Sequence, residues 1–275
     1  MKKLLSKNIL KQSIKNNWKL WAALTGVLCF FITVITFTLT RAGERAGSGT
    51  GGPMSGMRIS LLTVYGQMFF GTMGLMLMLI YAIAAGNKLV ASEVDKGTMS
   101  FTLNTPTTRK QIIFSKALYY ITSIITMAVL MGAFATFSCM AAGVELVTET
   151  VNPLTGAVVQ TTNMDYGTLW MLILGFVLFG LATSGICFAA SCWFNRSGQS
   201  LLVGAGLPVA FWLFNSLSGL EDLEFLKYFS LNTLFDTTAI TSGTGFIAQF
   251  IAMGVIAVVL YAVGITKFLK KDLPL

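Results

Sequence analysis

Long apolar stretches alternate with short polar segments along the whole chain. Six stretches of mostly apolar residues are long enough to cross a bilayer as helices, which takes roughly 20 residues each. They cover residues 20–40, 60–85, 117–142, 169–191, 201–217 and 246–265. The pattern predicts an all-α membrane protein with six transmembrane helices in a single transmembrane domain, residues 1–275. Composition agrees, because only 11% of the residues are charged, against about 25% in soluble domains.

The distribution of positive charge predicts the orientation. Of the 19 Lys and Arg residues, 15 fall on the side of the bilayer that holds the N-terminus and 4 on the other. The positive-inside rule then places both termini in the cytosol, in a multi-pass protein of the plasma (cytoplasmic) membrane. This topology also explains the net charge of +8. No nucleic-acid partner is expected, since the basic residues do not form one soluble face interleaved with aromatic residues.

Residues 1–19 are predicted to form an amphipathic helix on the inner leaflet. Apolar side chains recur at helical spacing on one side and lysines on the other: Leu10, Ile14, Trp18 and Trp21 against Lys7, Lys11, Lys15 and Lys19. Lysines extend to lipid phosphate and tryptophans favour the headgroup boundary, so membrane lipid is an expected partner. A disordered basic tail is the alternative, because spaced lysines alone are attracted to anionic lipid.

The predicted spans lack ionisable chemistry. None of the six contains Asp, Glu, Lys or Arg, and the chain has no His. Ion-coupled carriers keep ionisable groups near the midplane, and zinc or serine–histidine sites need imidazole. We therefore expect no catalytic residue and no metal ligand. The chain also lacks a Gly-x-x-x-x-Gly-Lys-[Ser/Thr] loop, so energy for any transport must come from another protein.

A polar island separates the second and third apolar stretches on the basic side. The second helix is predicted to run past its apolar part until Gly97 ends it. A short piece over residues 98–103 follows, in which apolar and small polar residues alternate. Thr105 and Pro106 then have the residue types of an N-cap and a first helical position, so a new helix is predicted towards span three. Residues 93–116, called the elbow, thus form a firm projection between two membrane helices.

The elbow resembles the segment between spans two and three in permease subunits of type-2 ATP-binding-cassette (ABC) exporters. The matching residues are Glu93, Gly97, Thr98, Leu103, Pro106, Thr108, Arg109, Ile112 and Lys116. The outline of the whole chain is similar, with an amphipathic N-terminal helix, six spans and an outer re-entrant or interfacial segment, residues 218–245. One departure is Ser230 followed by Leu231, where many family members have proline, so the re-entrant geometry stays open.

The resemblance implies that the elbow is a coupling helix that binds two cytosolic ABC ATPase subunits. ATP and Mg would be bound by those subunits and no cofactor by this chain, which would pair with a second copy or a related permease. Met99 and Phe101 would be apolar anchors, and Glu93 would pair with Arg109 or with a cation of the ATPase. The full set of implied coupling residues is Glu93, Gly97, Thr98, Met99, Phe101, Leu103, Pro106, Arg109 and Lys116. An ordinary capped loop is the alternative.

The resemblance also places a substrate path between spans two and five of a permease dimer. Gln67 and Phe70 in span two and Phe211 and Asn215 in span five would line it, although packing against lipid or other helices explains them equally well. The implied function is export of an amphipathic or hydrophobic substrate, such as an antimicrobial peptide or antibiotic, a drug or a lipid, by alternating access. A membrane sensor or scaffold that holds a cytosolic partner through the elbow is the alternative, followed by a secondary transporter.

Overall fold

The computed structural model of the protein describes residues 5–47, 61–99, 107–144, 147–151, 158–162, 164–218 and 221–271. Within these ranges, six helical stretches are long and apolar enough to span a membrane: Lys7–Arg41, Leu61–Asp95, Arg109–Ala141, Tyr166–Trp193, Ser197–Leu217 and Phe246–Lys270. Each predicted span coincides, to within a residue, with part of one of them. The predicted all-α membrane fold with six spanning helices is confirmed.

The described helices are α1 (Lys7–Gly47), α2 (Leu61–Val64), α3 (Gly74–Leu89), α4 (Ala91–Asp95), α5 (Arg109–Ala141), α6 (Tyr166–Trp193), α7 (Ser197–Leu217), α8 (Thr237–Ser242) and α9 (Phe246–Lys270). A π-helix, Tyr65–Met73, joins α2 to α3, and two 3-10 helices, Glu221–Phe229 and Leu231–Leu234, precede α8. Between α5 and α6 lies an antiparallel ribbon of β1 (Val147–Val151) and β2 (Val158–Thr162), which the sequence analysis did not predict.

Helix α1 is continuous over 41 residues and has no break where the predicted interfacial segment meets the first span. In its N-terminal part Ile9, Ser13 and Asn17 are buried against the rest of the chain. Ile14 and Trp18, on the predicted apolar face, are 46% and 51% exposed. The side of α1 that packs on the protein is therefore partly polar, and Ile14 and Trp18 point outward. Location on the inner leaflet remains a prediction.

Helix α6 occupies the centre of the bundle and packs on α3, α5, α7 and α9. Small residues permit the close approach. A Cβ atom at Gly86 of α3 would lie 2.7 Å from the Cβ of Cys187, and one at Gly185 would lie 3.0 Å from the Cβ of Leu260 in α9. Helices in a bilayer associate mainly through such packing, because lipid tails are as apolar as the side chains.

Two pairs of polar side chains inside the bundle hydrogen-bond to each other across helices. The hydroxyl of Tyr81 donates to Oγ of Ser123 over 2.6 Å, and the hydroxyls of Ser184 and Tyr261 lie 2.8 Å apart. A lipid environment offers no water to satisfy such groups, so internal partners are required. These pairs tie α3 to α5 and α6 to α9.

The segment between α7 and α9 folds back against the bundle. Oγ of Ser230 donates to the carbonyl of Phe211 in α7 over 2.7 Å and accepts from the amide of Asn232 over 3.1 Å. Asp236 caps α8 by accepting from the amides of the next turn. A Cβ atom at Gly66 of the π-helix would lie 3.5 Å from Cβ of Thr237 in α8. This segment is thus held between α7 and the π-helix even without the proline.

Candidate functional site

The helix of the second span breaks at Val90, where it leaves the bundle. Val90 has φ −128° and ψ −63°, so α3 ends at Leu89 and α4 begins at Ala91. Neighbouring helices satisfy the backbone groups at the break: Nζ of Lys116 in α5 donates to the carbonyl of Leu89 over 2.5 Å, and the amide of Ala91 donates to Oγ of Ser191 in α6 over 2.8 Å. The prediction of an unbroken helix through this point is wrong, because α5 and α6 stabilise a break within it.

A buried ion pair holds α4 against α5. Nζ of Lys116 lies 2.5 Å from Oε2 of Glu93, and these side chains are 2% and 21% exposed. It is the one ion pair found among the described residues. The predicted pairing of Glu93 with Arg109 is wrong, since the guanidinium of Arg109 donates to the carbonyl of Lys271 over 3.4 Å. Lys116 lies seven residues further into the same helix, about 10.5 Å at the α-helical rise, and so reaches the break.

Gly97 turns the chain at the end of α4. Its φ of 70° lies in the left-handed region that glycine adopts at little cost. Oγ1 of Thr98 closes the turn by donating to the carbonyl of Glu93 over 3.2 Å. Met99 is only 3% exposed, so its side chain is not presented at the surface in this conformation. Its role as an anchor for the ATPase stays a prediction. Three further predicted coupling residues lie outside the described residues: Phe101, Leu103 and Pro106.

Helix α5 begins at Arg109, and its N-cap is Thr108. Oγ1 of Thr108 accepts from the amide of Gln111 over 3.3 Å, and the side chain of Gln111 accepts from the amide of Thr108 over 2.9 Å. This reciprocal capping box satisfies two amides that a helix start leaves unpaired. The predicted start of this helix at Pro106 is therefore wrong by three residues. A Thr followed three residues later by Gln was the sequence signal for the actual start.

The C-terminal end of α9 lies beside the elbow. Nζ of Lys271 donates to the carbonyl of Cys192 over 3.1 Å, and partial burial lowers the pKa of Lys271. Nζ of Lys267 lies 4.1 Å from the centre of the Trp193 ring, a cation–π geometry. Together with the bond from Arg109, these contacts bring the ends of α5, α6 and α9 together. We call this end of the bundle, where α1 begins and α9 ends, the basic end.

The predicted path residues are in different environments. Gln67 is exposed, whereas Phe211 and Asn215 are half-buried. Phe70 is fully buried, and its ring meets that of Phe176 edge-on with centroids 5.7 Å apart. Phe70 therefore packs in the core of the chain in this conformation, and its place on a substrate path stays a prediction.

The π-helix has no counterpart among the elements predicted from the sequence. The amide of Gly74 donates to the carbonyl of Phe69, five residues back, and a Cβ atom at Gly74 would lie 2.9 Å from that oxygen. Glycines at 66, 71 and 74 within one apolar stretch were the available signal. Widened turns of this kind occur frequently at functional sites in helices.

The six helices that are long and apolar enough to span a bilayer define the chain as a polytopic membrane protein. A family model described as ABC-2 family transporter protein matches residues 5–273, nearly the whole chain. The protein therefore belongs to the ABC-2 transporter family, whose members are membrane transport subunits that work with ABC ATPase subunits. No match to the chain was found among curated proteins.

Proposed function

We propose that the chain is the permease subunit of an ABC exporter that is driven through the elbow by two separate cytosolic ATPase subunits. The observation that carries this proposal is the anchoring of α4 to two different spanning helices. The Glu93–Lys116 pair links α4 to α5, and the Ala91–Ser191 hydrogen bond links it to α6. A displacement of the elbow therefore acts on α3, α5 and α6 together.

The charge distribution supports a cytosolic location for the basic end. The N-terminal lysines, the elbow and the C-terminal lysines all belong to this end, which accounts for most of the 15 to 4 asymmetry. An ATPase that closes on ATP would push on the elbow from the cytosol. The bundle would then change from inward-facing to outward-facing and release its substrate outside.

The outward surface of the π-helix and α3 supports an amphipathic or hydrophobic substrate. Met68, Met73 and Met76 are 64%, 48% and 46% exposed, and Gln67 lies beside them. Methionine surfaces adapt to irregular apolar shapes. In a dimer with a second copy or a related permease, this surface would face span five of the partner and contact an antimicrobial peptide or antibiotic, a drug or a lipid.

The experiment is co-purification of the tagged full chain from its native membrane, followed by an ATPase assay of the complex. Phe101→Asp tests the elbow. Phe229→Asp is the matched control, because Phe229 lies in the segment between α7 and α9 and its side chain is 65% exposed. We expect an ATPase to co-purify with the unmodified chain and with the control, and to be lost with Phe101→Asp.

Two outcomes would contradict this function. If no ATPase co-purifies, or if Phe101→Asp retains it, the elbow is not the ATPase-binding element. If the ATPase binds but reconstituted vesicles show no ATP-dependent movement of amphipathic dyes or peptides, the membrane scaffold replaces the exporter.

A further inference from the structure

A polar cavity of about 280 Å³ lies between the N-terminal part of α1 and the start of the elbow. Ser13 and Asn17 of α1 form one wall, and Lys88, Ser92, Glu93 and Lys96 belong to the other. Its volume is near the lower end of the roughly 300–1,000 Å³ of small-molecule pockets. The cavity therefore accommodates a group of headgroup size.

The cavity lies just beyond the apolar part of the helices that line it. On α1 its residues directly precede the apolar stretch 20–40, and on α3 its residues directly follow the apolar stretch 60–85. Both walls are thus just outside the part of each helix that matches the hydrocarbon core. Ile14 and Trp18, the neighbours of Ser13 and Asn17 along α1, are about half exposed and offer apolar surface for an acyl chain.

One wall contains a buried hydrogen-bond acceptor without a donor. Asn17 is 2% exposed, and its Nδ2 donates to the carbonyl of Ser13 over 3.2 Å. Its Oδ1 has no hydrogen-bond partner among the residues that the structure describes. Leaving such an oxygen unpaired is costly. The oxygen is enclosed in this conformation, so the Asn17 side chain would have to turn towards the cavity for a ligand hydroxyl to supply the missing donor.

The charges around the cavity favour an anion. Lys88 and Lys96 are on its wall, and Nζ of Lys88 donates to the carbonyl of Asn16 over 3.2 Å. The one carboxylate on the wall, Glu93, is already neutralised by Lys116. Two lysines thus remain to attract a phosphate, while no unneutralised carboxylate remains to attract an ammonium group.

We propose that this cavity binds the phosphoglycerol headgroup of an anionic phospholipid. The phosphate lies between Lys88 and Lys96, and a glycerol hydroxyl donates to Oδ1 of Asn17. The bound headgroup fills the space between α1 and the elbow and so holds α4 against the N-terminal helix. This lipid-binding proposal does not depend on the proposed exporter function.

The test measures the thermal stability of the purified full chain in a neutral detergent while short-chain phosphatidylglycerol is added. Phosphatidylcholine of the same chain length and free glycerol phosphate are the two comparison probes. We expect saturable stabilisation by phosphatidylglycerol at concentrations at least tenfold lower than for either probe. Lys88→Gln should weaken the apparent affinity about fivefold, as expected for one lysine facing an anionic headgroup.

Two further variants separate this site from general surface attraction. Lys15→Gln removes an exposed lysine of α1 that is not on the cavity wall, and it should leave the affinity unchanged. Asn17→Leu should reduce the preference for phosphatidylglycerol over phosphatidylcholine, because it removes the contact to the glycerol hydroxyl and keeps both lysines. If it prevents folding, Lys96→Gln, at an exposed side chain on the cavity wall, takes its place.

Three results would overturn the proposal. Equal stabilisation by phosphatidylcholine would show that no anionic headgroup is selected. Equal potency of free glycerol phosphate would make the cavity a site for soluble phosphate. If Lys15→Gln lowers the apparent lipid affinity as much as Lys88→Gln does, the stabilisation comes from non-specific attraction of lysines to anionic lipid.

Discussion

Replacing Glu93 by Gln is expected to destabilise the protein strongly, because it leaves the ammonium of Lys116 buried without its counter-ion. Lys116 is 2% exposed, and its other hydrogen bond within the described part of the chain is to the carbonyl of Leu89. Removing one partner of a buried ion pair costs about 3–5 kcal/mol. The cost has a natural ceiling, because deprotonating a lysine of ordinary pKa at pH 7 takes about 4.6 kcal/mol.

The reverse change should cost less. Lys116→Met leaves the Glu93 carboxylate, which is 21% exposed and lies on the wall of the polar cavity, so water can solvate it. The remaining loss is the hydrogen bond to Leu89, worth about 1–3 kcal/mol if its buried carbonyl stays unpaired. The double variant should resemble Lys116→Met, because it contains no unpaired buried charge.

The assay is thermal unfolding of the unmodified chain, the two single variants, the double variant and a control variant in the same detergent and lipid. At about 2–4 °C per kcal/mol for a chain of this size class, Glu93→Gln should lower Tm by on the order of 10 °C. Asp95→Asn is the matched control, since it neutralises an exposed carboxylate of the same short helix. A Tm of Glu93→Gln within about 2 °C of the control, which corresponds to at most about 1 kcal/mol, would refute the reasoning. A loss of Tm in Lys116→Met as large as that in Glu93→Gln would refute it as well.

Three further predictions concern backbone geometry and capping. Gly86→Ala should cost about 1–3 kcal/mol by overpacking against α6, whereas Gly206→Ala, where an added Cβ meets nothing within 4 Å, should be neutral or stabilising in the same unfolding assay. Gly97→Ala should cost about 1–2 kcal/mol because of its left-handed φ, and Gly97→Asn less; equal Tm values for both would contradict this. The pKa of Asp165 is lowered by hydrogen bonds from the hydroxyl and amide of Thr168 and from the amide of Gly167. The contribution of this cap to stability is therefore complete above about pH 4, and it disappears as the pH falls through the lowered pKa. Asp165→Ala should cost about 1 kcal/mol at pH 7 and less in strong acid, as measured by Tm against pH; a pH-independent difference would contradict the assignment.

Much of the architecture could be predicted because it depends only on the length and spacing of apolar stretches and on composition. An apolar run of sufficient length leaves a chain in lipid few alternatives to a helix, since every backbone group must be satisfied within the segment. The six spans, the turn at Gly97 and the existence of a polar elbow all follow from that rule and from local backbone preferences. The family assignment agrees with the resemblance read from the spacing in the elbow.

The tertiary structure alone decided how the elbow is held. Local sequence favours a continuous helix through Val90, and only Lys116 and Ser191, 26 and 101 residues further along the chain, stabilise its break. Glu93 pairs with Lys116 and not with Arg109 because helix packing sets which of two cations on one helix reaches the carboxylate. The resemblance implied contacts of Met99 and Phe70 with a partner or a substrate, but both side chains are buried here, because burial depends on neighbours that are distant in sequence. The sequence by itself therefore determined the spans, the basic end and the position of the elbow, whereas long-range contacts determined which of its residues are structural and which remain accessible.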